Sequence, residues 1–195
     1  MGVCMCLQAL NDEKIDELSR NPLELQNIVS AFAWASPSMA QVMAGMVQRD
    51  PRLADLAELI SRQNLTKHLG PQLDLEKSFH GLHYLFTGSV QEGEEPLCYL
   101  LHKGRGIGAC NIGEVKAISG DQLAAFEAAL QAIDKKELLR RYDAKPMAEA
   151  EINVFDVVCC DTEDGREYFC EKLVQLKEFL KAASVRKQGM IIWLT

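Results

Sequence analysis

The chain has 195 residues, enough for one domain with a substantial core. Its 48% hydrophobic and 25% charged residues are the balance of a globular protein, not of a disordered one. A net charge of −7, with no basic run and no nucleic-acid-binding motif, disfavours a nucleic-acid partner, and no segment approaches the ~18 apolar residues of a membrane helix.

The N-terminus lacks a basic region followed by a long apolar one, and so makes a poor signal peptide. Gly2 suits a myristoylation site, but Cys6 stands where Ser or Thr is wanted. Val3 to Leu10 is apolar on both alternations, which predicts a strand buried on both faces. Asn11 or Asp12 then caps a short helix, and Asn21-Pro22 opens the next with proline at its first position. Ser36-Pro37 and Asp50-Pro51 repeat the start signal, so residues 11–62 read as a string of short helices. Met39, Val42, Met43, Met46 and Val47 form a stripe that suits the core.

Residues 74–88 read as one helix. Asp74 is placed to cap its start, and Gly88 to end it through the left-handed conformation. Leu75, Phe79, Leu82 and Phe86 form its apolar stripe. His80 and His83 lie beside that stripe, three residues apart, with Thr87 nearby. Such a pair can converge on a proton or an anion, or simply bond to neighbouring loops. Thr87 stands where a metalloprotease helix would place its second histidine, and no other metal-ligand spacing occurs, so no metal is expected.

Residues 91–95 make a polar loop, and 96–101 a short apolar run of undecided type. His102 to Gly108 reads as a loop with glycines at alternate positions. Lys103, Gly104, Arg105 and Gly106 are its candidate anion-binding residues, although neither the P-loop nor the full dinucleotide pattern is present and no cofactor is expected. Glu114 to Ile118 predicts a strand, and Ser119 with Gln122 a capping box. Asp134 starts another helical piece. Residues 143–158 read as a turn of helix followed by an extended segment. Thr162 to Ala183 predicts the longest helix, with Phe169, Leu173, Leu176 and Leu180 buried, and Met190 to Leu194 a closing strand.

The seven cysteines are odd in number and contain no Cys-x-x-Cys, which fits a reduced, cytoplasmic setting. Strands open and close the chain, and helices dominate between them. The expected fold is α+β (mixed α/β), one domain over residues 1–195, with a small central sheet that contains both terminal strands and is covered by helices.

The N-terminal Met-Gly before a strand, the 73–88 histidine segment, Pro96-Leu97 with the glycine segment, and Arg141 to Asp143 with Met147 and Ile152 together resemble the YfbM-like family, a bacterial domain of unknown function. Phe79 and Asn153-Val154 stand where members often show a tryptophan-type aromatic and a Tyr-Pro pair. The resemblance implies a bacterial cytoplasmic α/β protein and supplies no catalytic residue.

Two functions remain open. The leading one is a non-catalytic binding or interaction protein, such as an immunity-type protein whose acidity complements a basic toxin. The alternative is a small-molecule enzyme or ligand-binding protein with a polar site at His80 and His83, joined by Tyr142 and Asp143. A carboxylate on an imidazole would fix its tautomer and raise its pKa, as acid–base chemistry often needs.

Overall fold

The computed structural model describes residues 3–35, 45, 48, 50, 70–110, 112–150, 152 and 163–195. The methionine stripe, the helix expected after Pro51, the segment after Ile152 and the Cys159–Cys160 pair lie outside the described residues.

Five strands form one antiparallel sheet: β1 (Met5–Leu10), β2 (Gln72–Glu76), β3 (Arg105–Cys110), β4 (Gly113–Ile118) and β5 (Gly189–Leu194), in the order β2-β1-β5-β4-β3. The first and last strands pair directly, from Met5 against Leu194 to Leu10 against Gly189. Helices cover both faces of the sheet here, so neither strand presents a polar face to water. This is why both alternations of β1 are apolar and all six of its residues are buried.

Helices cover both faces. Against one lie α1 (Asp12–Arg20) and α2 (Pro22–Ala35), whose Ile15, Leu18, Leu25 and Ile28 pack on Cys6, Leu10, Val115, Ile191 and Trp193. Against the other lie α3 (Ser78–Thr87), α4 (Gly120–Gln131) and α7 (Glu163–Val185), which bury Phe79, Phe126, Phe169 and Leu176 with Met5, Leu7, Met190 and Ile192. The pleat sends successive residues to opposite layers, which is how Met190 and Ile192 serve one core while Ile191 and Trp193 serve the other. Two short helices, α5 (Lys135–Arg141) and α6 (Ala144–Glu149), complete the second layer. The fold is α+β, as expected.

Several local signals are realised. Asn11 accepts from the Lys14 N–H, Pro22 opens α2, and Ser119 and Gln122 exchange both bonds of a capping box. Gly88 ends α3 at φ 75°, donating its N–H to the Tyr84 carbonyl.

The start of the histidine helix needs correction. Residues 72–76 are an edge strand, with Leu73 opposite Leu7 and Asp74 opposite Cys6, and α3 begins only at Ser78. Leu73, Asp74, Leu75 and Glu76 alternate apolar and polar, a period of two that also placed Leu75 on the helical stripe. Asp74 does not cap the helix. Its carboxylate accepts from the Glu76 N–H, and Glu76 turns the chain at φ 51°.

The glycine segment also differs from expectation. Arg105 and Gly106 belong to β3, opposite Ala117 and Lys116. A strand directs successive N–H groups to opposite sides, so they do not converge on an anion. Two of the alternate glycines have a structural reason: a Cβ at Gly108 would come within 2.5 Å of Leu25 on α2, and one at Gly104 within 2.9 Å of the Ala117 carbonyl oxygen. The undecided run at 96–101 is a 3-10 turn, Leu97–Leu100.

Candidate functional site

Helix α3 holds the site because both of its ends are fixed. At its start the Ser78 hydroxyl donates to the Leu75 carbonyl at 2.7 Å. At its end the Arg141 guanidinium donates to the Leu85 and Phe86 carbonyls at 3.1 and 3.0 Å, satisfying acceptors that have no intrahelical partner. Beyond Gly88 the chain folds back over the helix. Ser89 Oγ accepts from the Glu92 N–H at 3.0 Å, and Gly93 lies so close to Thr87 that a Cβ there would meet its methyl at 2.6 Å.

Under this loop sits His83, with no exposed surface. Its Nε2 lies 3.1 Å from the Glu92 carbonyl oxygen. A carbonyl only accepts, so Nε2 carries the proton and Nδ1 is left as a bare lone pair. Nδ1 is buried and has no hydrogen-bond partner. Against its ring, edge to face with centroids 5.0 Å apart, stands His102, whose Nε2 is also buried and without a hydrogen-bond partner. His80 is half-buried one turn away, stacked beside Phe79.

Burial is the main influence on the His83 and His80 imidazoles. It lowers His83 to about 4 and lowers His80, and in both cases a backbone hydrogen bond opposes it while His102 adds to it. Folded His83 thus stays neutral where the unfolded chain, near the ordinary value of about 6.5, takes up a proton. The unfolded state binds more protons between these values, so stability rises with pH across that window. We expect the urea midpoint to fall as pH drops from 7 to 5, and His83→Gln to flatten the slope. An equal slope in wild type and variant would contradict the buried neutral ring.

His102 opens the site to solvent. With Lys103 it lines an open cavity of about 770 Å³, whose other walls include Phe86, Glu92, Glu94 and Leu97. The volume is within the range of small-molecule sites. Among the described residues, no group of three or more His, Cys, Asp and Glu side chains is arranged to hold a metal.

The candidate residues therefore separate. His80 and His83 remain together, and the ring brought to them is His102 rather than a carboxylate. Asp143 is exposed at the N-cap of α6, where its carboxylate accepts from the Lys145 N–H at 3.1 Å. Tyr142 is 6% exposed and packs on Phe169, with the Arg166 guanidinium 5.5 Å from its ring centre. Lys103 stays at the cavity, while Arg105 pairs with Asp16 on the α1 side of the sheet. Gly104, at φ 111°, turns the chain into β3, and the expected four-residue anion loop is divided between the cavity rim and the sheet edge. His102 was missed because 19 residues separate it from His83, a distance no helical or strand period spans. Its position beside Lys103 and a glycine was the available signal.

Among the described residues, the thiols of Cys6, Cys98 and Cys170 are buried. Burial raises Cys4, Cys98 and Cys170, and pushes Cys6 up to about 12 with help from Asp74.

A five-stranded antiparallel sheet with its terminal strands paired inside and helices on both faces defines an α+β protein with a histidine pair beneath a loop. The chain belongs to the DUF1877 family, a domain of unknown function whose model matches residues 1–193. No functionally curated protein matches it. Its fold is similar to the crystal structure of YfbM from Escherichia coli, a protein of unknown function, with a TM-score of 0.58 and 16% identity over 98% of this chain and 99% of that one. No described helix is long and apolar enough to cross a membrane.

Proposed function

We propose that this is a non-catalytic binding protein whose recognition site is the cavity beside His102. The observation that carries this reading is the open cavity lined by His102, whose ring packs on His83 and leaves two buried nitrogens, His83 Nδ1 and His102 Nε2, without hydrogen-bond partners. A buried polar atom without a partner costs about 1–3 kcal/mol, which favours a movement of the rings that opens it to a ligand. The titratable groups support binding over catalysis. A general base for neutral pH needs a pKa near 7, whereas His83 is held near 4. A nucleophilic thiol needs a lowered pKa, and burial raises Cys4, Cys6, Cys98 and Cys170.

One observation favours a protein partner as a second reading. Glu163, Glu167 and Glu171 recur along α7 beside adjoining clefts of about 480 and 400 Å³, where they outnumber the two cations in the lining, Lys135 and Arg166. This suits a basic surface, as an immunity-type protein facing a cytoplasmic toxin would need.

Capture of the tagged protein from its own cells at low and high salt tests both readings by mass spectrometry. Under the first, a small molecule accompanies the wild type at either salt and is missing from His102→Trp, which fills the cavity. Under the second, one basic protein is retained at low salt and lost at high salt. A preparation that carries neither contradicts both.

A further inference from the structure

The charges of the His102 cavity go further, on the reading that the cavity binds a ligand. Glu92 and Glu94 line it from the loop after α3, and Lys103 from the turn before β3. All three are exposed, and no ion pair within 4 Å joins Lys103 to either carboxylate. Two signs of charge therefore share one cavity without neutralising each other. The His102 ring and two apolar side chains, Phe86 and Leu97, line the same cavity.

We propose that the cavity binds a small zwitterion of the amino-acid type, carrying one ammonium, one carboxylate and an apolar side group. An ammonium is donor-only and matches the carboxylates of Glu92 and Glu94. A carboxylate is acceptor-only and matches Lys103 through a charge-assisted bond. The apolar group covers Phe86 and Leu97. A simple amine leaves Lys103 unmatched, and a simple acid leaves the glutamates unmatched. A volume of about 770 Å³ admits a large side chain or a short peptide.

Isothermal titration of the full chain with L-phenylalanine and L-leucine, each beside its amide and its N-acetyl form, tests the assignment. The zwitterions are expected to bind, and each capped form to bind at least about tenfold more weakly, the worth of one charge-assisted contact. Lys103→Met should erase the preference for the acid over the amide, and Glu94→Gln should weaken that for the free amine over the acetyl form. Both side chains are exposed, so both variants should fold. Capped forms that bind as well as the zwitterions, or zwitterions that do not bind, overturn the proposal. If the capped forms bind equally and His102→Ala abolishes their binding, only the zwitterion assignment fails. If ligands bind and His102→Ala changes nothing, the cavity reading fails with it.

Discussion

Replacing Phe169 with alanine is expected to remove about 3–5 kcal/mol of stability, as the loss of a fully buried aromatic ring does. The ring has no exposed surface and sits where α7 meets α3. Gly81 is the reason it fits: a Cβ there would lie 2.5 Å from two ring carbons. Gly81→Ala should therefore also destabilise the fold, by about 1–3 kcal/mol from overpacking. Helix propensity argues the other way, since alanine gains about 1 kcal/mol over glycine in an exposed helix. The clash wins because the ring is held on other sides by Tyr142 and Tyr168, with centroids 5.9 and 5.6 Å away. Adding Phe169→Leu to Gly81→Ala should recover part of the loss, a coupling that urea midpoints of the four proteins measure. A stabilising Gly81→Ala would contradict this packing.

Glu76→Ala is the second large effect. Lys172 is 6% exposed on α7, and its ammonium meets Glu76 Oε1 at 2.9 Å. Glu76 Oε2 accepts from the Tyr168 hydroxyl at 3.3 Å, and the Lys172 ammonium lies 5.7 Å from the Tyr168 ring centre. Without Glu76 the cation has lost its counter-charge in a nearly closed site, and we expect a loss of about 1–3 kcal/mol. The loss stays below that of a fully buried pair because the glutamate is about half exposed and solvent screens it. Glu76→Gly should cost less, since glycine relieves the left-handed backbone at φ 51° by about 1 kcal/mol. Lys172→Met on the Glu76→Ala background should restore most of the loss, because the thioether chain fills the same channel without a charge. Thermal unfolding of the three variants decides the matter. If Glu76→Ala is neutral, Lys172 reaches water without its partner.

Elements whose cause is local were legible in the sequence. The capping box at Ser119 and Gln122 is complete within four residues, and Gly88 ends α3 because the left-handed conformation costs glycine nothing. The terminal strands were legible too, since two apolar faces call for cover on both sides of the sheet. Residues 72–76 were not, because Leu75 satisfies both a period of two and the stripe of α3. Pairing with β1, more than 60 residues away, decides that segment. The glycine segment looked like an anion loop, but Gly108 answers to Leu25 on α2 and Gly104 to the Ala117 backbone across the strand pair. The site follows the same rule. The spacing on α3 put His80 and His83 together, while His102, Glu92 and Glu94 reach them only through the folded loops. Asp143 carried the chemistry of a base but has the position of a helix cap.

The most direct test of a binding site beside His102 is the ¹⁵N spectrum of the histidine rings, recorded for gently purified protein and for the same protein unfolded, dialysed and refolded. The site as described predicts that stripping the ligand shifts His102 Nε2 and His83 Nδ1, while His83 Nε2 stays protonated against the Glu92 carbonyl in both samples. Ring nitrogens with identical shifts in the two preparations would contradict it.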